Sequence, residues 1–199
     1  MITATEARAE LEAGNARYVA GERQLDTSEA RLQELAGGQA PFAIILGCAD
    51  SRVPPELIFD QGLGNLFVIR VAGNIVDPHQ LGSIEYAVIA CGTPLLVVLG
   101  HSSCGAVSAT IGALRTPQEG GSPNIGALVE KISPAVKPLF EQDLDDSELL
   151  SQAVRANVHA VIADLRANSA LLDERIAGGD LEVLAAEYSL ESGQVTFLA

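Results

Sequence analysis

The chain has 199 residues, 48% of them hydrophobic and only 19% charged, a balance that excludes disorder and suffices for one ordinary core without covalent staples. Its 12 Lys and Arg face 26 Asp and Glu, a formal net charge of -14, which excludes nucleic acid and anionic membrane surfaces as partners. Apolar runs such as Pro94 to Gly100 are too short to span a bilayer.

The opening residues Met1-Ile2-Thr3-Ala4-Thr5-Glu6 show neither a basic region nor an apolar run of secretory type, so a cytoplasmic location is expected. Thr3 with Glu6 fits a capping box, starting a helix through Ala7, Leu11 and Tyr18 that ends near Gly21. A short second helix is predicted over Glu29 to Ala36, stopped by Gly37-Gly38. Phe42 to Leu46 is a continuous apolar run, as in a strand covered on both faces of a parallel sheet. Leu66 to Val71 and Pro94 to Gly100 repeat that pattern, with a helical stretch from Leu81 to Cys91 between them, its apolar positions Ile84, Val88 and Cys91 at helical spacing.

Ser122 to Gly179 reads as largely helical, with breaks at Pro134, Pro138 and the acidic turn Asp143 to Asp146. A fourth apolar run, Val183 to Leu190, meets Gln194 to Leu198 across the turn Glu191-Ser192-Gly193, so the last strand is expected to be antiparallel. Alternating strands and helices predict a single α/β domain. Its central sheet is mostly parallel with an antiparallel C-terminal edge strand and helices on both faces; residues 1–38 form a helical arm and 39–199 the core. Gly37-Gly38 and Gly62-Leu63-Gly64 are turns and lack the glycine fingerprint of a nucleotide-binding module.

Two polar clusters follow the first and third core strands, where an open parallel sheet presents ligands. They are Cys48-Ala49-Asp50-Ser51-Arg52 and His101-Ser102-Ser103-Cys104-Gly105. Three cysteines in a chain with no secretory signal argue against a disulfide framework. Cys91 reads as a small core hydrophobe. Two thiolates and an imidazole suit Zn²⁺ and leave its fourth position open, the catalytic rather than the structural arrangement. His101 and Cys104, three apart at the start of a helix, can point both donors at one place. Asp50 either fills the fourth position or stays outside it, and Arg52 can pair with its carboxylate and keep it ionised.

Those two clusters, extended to Cys48–Pro54 and Gly100–Gly105, resemble the signature motifs of the β-class carbonic anhydrases. The segments Leu66 to Arg70 and Ser83 to Val88, the N-terminal helices and the terminal hairpin are similar to that family too. The resemblance implies one zinc ion per chain on Cys48, His101 and Cys104, with Asp50 and Arg52 as the catalytic dyad. In the family the aspartate, held by its arginine, orients a zinc-bound hydroxide that attacks CO₂ to give bicarbonate and a proton. In a closed state the aspartate becomes the fourth zinc ligand instead.

By the same resemblance, Gln39, Phe67 and Tyr86 match the pocket residues of the plant-like subgroup, with Gly105 also in the substrate pocket. Gln39 would hydrogen-bond a substrate oxygen, and Phe67 and Tyr86 would supply an apolar wall. The other subgroup's non-catalytic bicarbonate site needs a tryptophan where Ile45 stands, and the chain contains 0 Trp. Arg70 matches that site's arginine and is expected to pair structurally or to lie at a subunit interface. An open site at neutral pH and no bicarbonate inhibition of that kind follow. His79 and His159 are shuttle candidates by residue type alone. Competing readings are a hydrolase of CS₂ or COS on the same zinc centre and a zinc-stabilised scaffold without turnover. The N-terminal helix carries apolar positions without an evident partner in its own domain, so a homodimer or homotetramer is expected.

Overall fold

The computed structural model describes residues 2–116 and 122–199. Five strands, β1 Ala43–Gly47, β2 Leu66–Arg70, β3 Leu95–His101, β4 Glu182–Tyr188 and β5 Val195–Phe197, form one sheet in the order β2-β1-β3-β4-β5. The first four run parallel and β5 is antiparallel to β4, as the hairpin turn predicted.

Every residue of β1 and β3 is buried, and successive side chains alternate between two layers. Ile44, Leu46, Leu96 and Val98 pack with Ile84 and Ala87 of helix α4 (Pro78–Cys91) and with Val158, Val161 and Leu165 of helix α7 (Asp146–Asn168). Ala43, Ile45, Leu95, Val97 and Leu99 pack on the other face with Ala7 and Leu11 of α1 (Ala4–Ala20) and Ile58 of α3 (Pro55–Ile58). A third cluster sits over the carboxyl ends of the strands. It joins α5 (Gly105–Arg115) and α6 (Pro123–Val136) through Val107, Ile111, Ile132 and Val136 around Cys48 and Cys104.

Thr3 and Glu6 form the expected capping box, and α1 ends at Gly21 with φ 75°. The apolar positions of α1 do have partners in their own domain, contrary to the sequence expectation. Ala7 and Leu11 are fully buried, and Gly14 passes so close to α3 that an added Cβ would lie 1.8 Å from the Phe59 carbonyl oxygen. Asn15 ties the helix further, donating to the Ile58 and Gly193 carbonyls and accepting from the Val195 amide. What remains arm-like is α2 (Glu29–Leu35), which buries no residue.

Two other boundaries shift. Helix α4 starts three residues early because Asp77 caps it and Pro78 takes its first position, where a missing N–H costs nothing. Helix α6 runs through Pro134 to Val136 instead of breaking there. Pro134 lies in the last turn, and its loss of one helical hydrogen bond is outweighed by burial of Ile132 and Val136.

Because Leu11 is part of the sheet's own cover, Leu11→Ala should destabilise the chain by about 2–5 kcal/mol in urea unfolding. Val19→Ala on the exposed side of α1 should stay within about 0.5 kcal/mol. Equal, small effects would mean that α1 is not part of this core.

Candidate metal centre

Strand β1 ends at Gly47 and β3 at His101, and they are neighbours in the sheet. Cys48 therefore emerges beside His101, and Cys104 caps α5 three residues on. The sequence expectation put His101 and Cys104 together on a helix start; His101 is in fact the last strand residue, and Ser103, with φ 56°, turns the chain between them. The two Sγ atoms and an imidazole nitrogen lie within 4.8 Å of one another, all three residues buried. Cys91, at the end of α4, is apart and free.

The donor set fits a zinc ion. His101 Nδ1 lies 2.9 Å from the Ser102 carbonyl oxygen, which can only accept, so Nδ1 carries the proton and Nε2 presents its lone pair. Nε2 is buried without a hydrogen-bond partner among the described residues, a costly state unless something electrophilic meets it. The Cys104 thiol beside it lowers the Cys48 pKa to about 4, and the Gly73 amide donates to Cys48 Sγ at 3.3 Å. Cys104 is held well above an ordinary thiol because Cys48 and burial oppose a second negative charge. Burial disfavours charge on His101, but the Cys48 thiolate outweighs it and raises the imidazole pKa. A pair of buried sulfurs sharing negative charge with an unmet imidazole lone pair lacks only a cation.

Asp50 and Arg52 sit at the rim. Arg52 Nε and Nη2 reach Asp50 Oδ1 and Oδ2 at 2.9 and 2.7 Å, and the Arg52 amide adds a third donor at 2.9 Å. These contacts hold the Asp50 carboxyl well below the usual carboxylate range. Its Oδ2 stands 4.0 Å from His101 Nε2, beside the donor set but turned to Arg52. Gly105, the first residue of α5, borders the site with open space where a side chain would be.

Gln39, Phe67 and Tyr86 are not brought to this centre within one chain. Gln39 precedes β1, and Phe67 is in register with Ile44, four residues or roughly 13 Å before the strand end that carries Cys48. Phe67 and Tyr86 do meet each other, their ring centroids 6.3 Å apart, and Tyr86 is 56% exposed. His79 and His159 lie exposed on α4 and α7.

Sequence reasoning passed over Gly73 and Asn157. Gly73, at φ 74°, brings its amide to Cys48, and an added Cβ would strike Ile132 Cδ1 at 2.7 Å. Asn157 of α7 donates to the Gly73 carbonyl at 2.8 Å. The segment Val71 to Asn74 follows the second core strand, so the rule that flagged the other two strand ends also marks it.

A family model for carbonic anhydrase matches residues 43–195. The chain is 43% identical over 187 residues to carbonic anhydrase 2 of Mycobacterium tuberculosis, covering 92% of this chain and 87% of that protein. It is 40% identical over 189 residues to a carbonic anhydrase of Mycolicibacterium smegmatis, covering 93% and 88%. Among solved structures, a tetrameric β-carbonic anhydrase of Sordaria macrospora superposes with a TM-score of 0.75 at 31% identity, covering 84% and 85%. The β-carbonic anhydrase of Coccomyxa, solved with acetazolamide, gives 0.76 at 26% identity, covering 98% and 82%. With three soft donors at adjoining strand ends and a carboxylate clamped beside them, the chain belongs to the carbonic anhydrase family, in its β class.

Proposed function

We propose that the chain is a zinc enzyme that reversibly hydrates CO₂ to bicarbonate and a proton, with Cys48, His101 and Cys104 holding the metal. The observation that carries this reading is the pairing of a three-donor set with a carboxylate fixed at its edge. A bound zinc ion supplies Lewis acidity that makes water a nucleophile near neutral pH. Asp50, ionised by its three contacts with Arg52, is an acceptor at every physiological pH and orients a water O–H by accepting from it. Arg52 keeps that carboxylate out of the donor set, so a coordination position stays free. Ile75, Val107 and Ile111 around the cysteines exclude bulk water from an apolar gas.

Gln39, Phe67 and Tyr86 act, in this reading, on the centre of a second copy, in a plant-like pocket assembled across a homodimer that can pair again as a homotetramer. Support comes from their place at the other end of the sheet, from the exposed Tyr86 and Ile89 of α4, and from β2 being an edge strand. A cytoplasmic location goes with this reading. No helix among the described residues is long and apolar enough to cross a membrane.

Stopped-flow CO₂ hydration from about pH 6 to about pH 9, on protein of measured zinc content, tests the activity. Rapid hydration that disappears in Cys48→Ser is expected, as is a loss of about 10²-fold or more in Asp50→Asn. One bound zinc with no hydration at any pH overturns the reading.

Metal binding should itself depend on pH. Cys48 is ionised down to about 4, whereas Cys104 is held well above an ordinary thiol, so zinc must displace the Cys104 proton. On acidification a proton also competes for His101 Nε2, whose imidazole pKa is raised by the Cys48 thiolate. Apparent zinc affinity therefore rises with pH through neutrality and falls on acidification, as equilibrium dialysis would measure. A flat profile would contradict the assigned ligands.

Subunit sharing is tested by mixing. Gln39→Ala should lose about 10²-fold in activity and Cys48→Ser all of it. Refolded together, they should recover about a quarter of wild-type activity, since half the dimers are hybrids with one intact centre. No recovery would return Gln39 to its own chain.

A further inference from the structure

Arg70 is the last residue of edge strand β2, in register with Gly47. Its side chain does not point away from the sheet's working edge. Nε donates to the Cys48 carbonyl at 2.9 Å, and Nη2 donates to the Asp50 carbonyl. A single guanidinium thus grips the main chain of a metal ligand and of the carboxylate beside the metal, from a strand that contributes no ligand.

We propose that Arg70 is a positioning residue for the metal centre, fastening the Cys48–Asp50 segment to β2 so that the Cys48 sulfur meets the donors of His101 and Cys104. This rests on the zinc reading above.

The strand ladder by itself stops short of that task. Val71 N donates to the Gly47 carbonyl and Ala49 N to the Val71 carbonyl, each at 3.2 Å, and the chain then leaves the sheet. Beyond this point Asp50 is held by a local turn, its carbonyl accepting from Val53 N at 3.0 Å, and by Arg52, two residues on. Both contacts lie within the same loop. They fix the loop's shape, while its placement is held at Cys48 Sγ by the Gly73 amide, at the far end by buried Val53, and between them by Arg70. Arg70 supplies an anchor from outside.

The chemistry also selects arginine. Carbonyls two residues apart require donors spaced along one rigid edge, which the guanidinium fork offers and an ammonium does not. The two arginines therefore divide the work: Arg52 clamps a side chain within the loop, and Arg70 clamps the loop's main chain to the sheet. Loss of Arg70 should leave the Asp50–Arg52 pair formed while the whole segment shifts relative to His101 and Cys104.

The test compares wild type, Arg70→Ala and Arg70→Lys. The readouts are zinc release to a chromogenic chelator, the visible absorption of the cobalt-substituted protein, and the melting temperature of the metal-free chain. Arg70→Ala should release zinc about 10–100-fold faster, the range for outer-shell partners of metal ligands, with an altered cobalt spectrum and an unchanged metal-free melting temperature. Arg70→Lys, able to keep one carbonyl, should fall between. Wild-type release and spectrum in Arg70→Ala overturn the assignment, as does a fall in metal-free stability with normal zinc retention, which would make Arg70 merely structural. If Arg70→Ala does not fold, Arg70→Lys decides alone, and wild-type release from it overturns the proposal. A wild-type chain that takes up no zinc would fail the underlying reading instead.

Discussion

Parallel register between β1 and β3 is the constraint on which the rest depends. Three donors must converge from two strand ends, and the pairing Gly47 with Leu99 brings Cys48 out beside the end of β3. Side chains alternate with a period of two, so a slip of one residue would send Ile44 and Leu46 into the layer built for Ala43 and Ile45 and turn Cys48 away from His101. The fully buried aliphatic residues of both strands make that slip expensive. Hydrophobic sorting thus fixes metal geometry at a distance.

Electrostatic consequences follow from that placement. Cys48 and Cys104 are set among Ile75, Val107 and Ile132, where charge is poorly solvated. Metal-free, the two thiols divide their protons unequally, one pKa driven down and the other up. That polarisation, the Gly73 amide aimed at Cys48 and the unpartnered Nε2 of His101 make a buried donor set that could hold a divalent cation. Asp50, by contrast, sits where three donors from Arg52 make it a permanent anion. The centre separates charge to be shared with a metal from charge to be kept free of it.

The sheet's two ends have different characters. Its carboxyl end gathers the donors, the dyad and the α5–α6 cover. Its amino end carries Gln39 and, with the outer side of α4, the tilted Phe67–Tyr86 pair and exposed Ile89. Helix α1 is committed to its own sheet through Leu11, Gly14 and Asn15.

The sequence alone determined the strands, because the continuous aliphatic runs at Phe42 to Leu46 and Pro94 to Gly100 are too short for buried helices and are closed by polar clusters. It also determined which residue types could bind a metal, since soft donors just past buried strands are chemically conspicuous. Helix limits were less legible: Asp77 and Pro78 start α4 by local capping, whereas α6 passes Pro134 because tertiary burial outweighs one lost hydrogen bond. Only the tertiary structure decided the rest. Family likeness put Gln39 in the pocket, but it lies nine positions before Cys48, with the whole of β1 between them, and so at the opposite end of the sheet. Sequence spacing cannot foresee contacts made across strands and helices, by which Arg70 and Gly73 reach the Cys48 segment and Asn157 of α7 holds Gly73 in turn. Those contacts exist only once the β2-β1-β3 order is formed, because it is that order which sets these elements around one strand end.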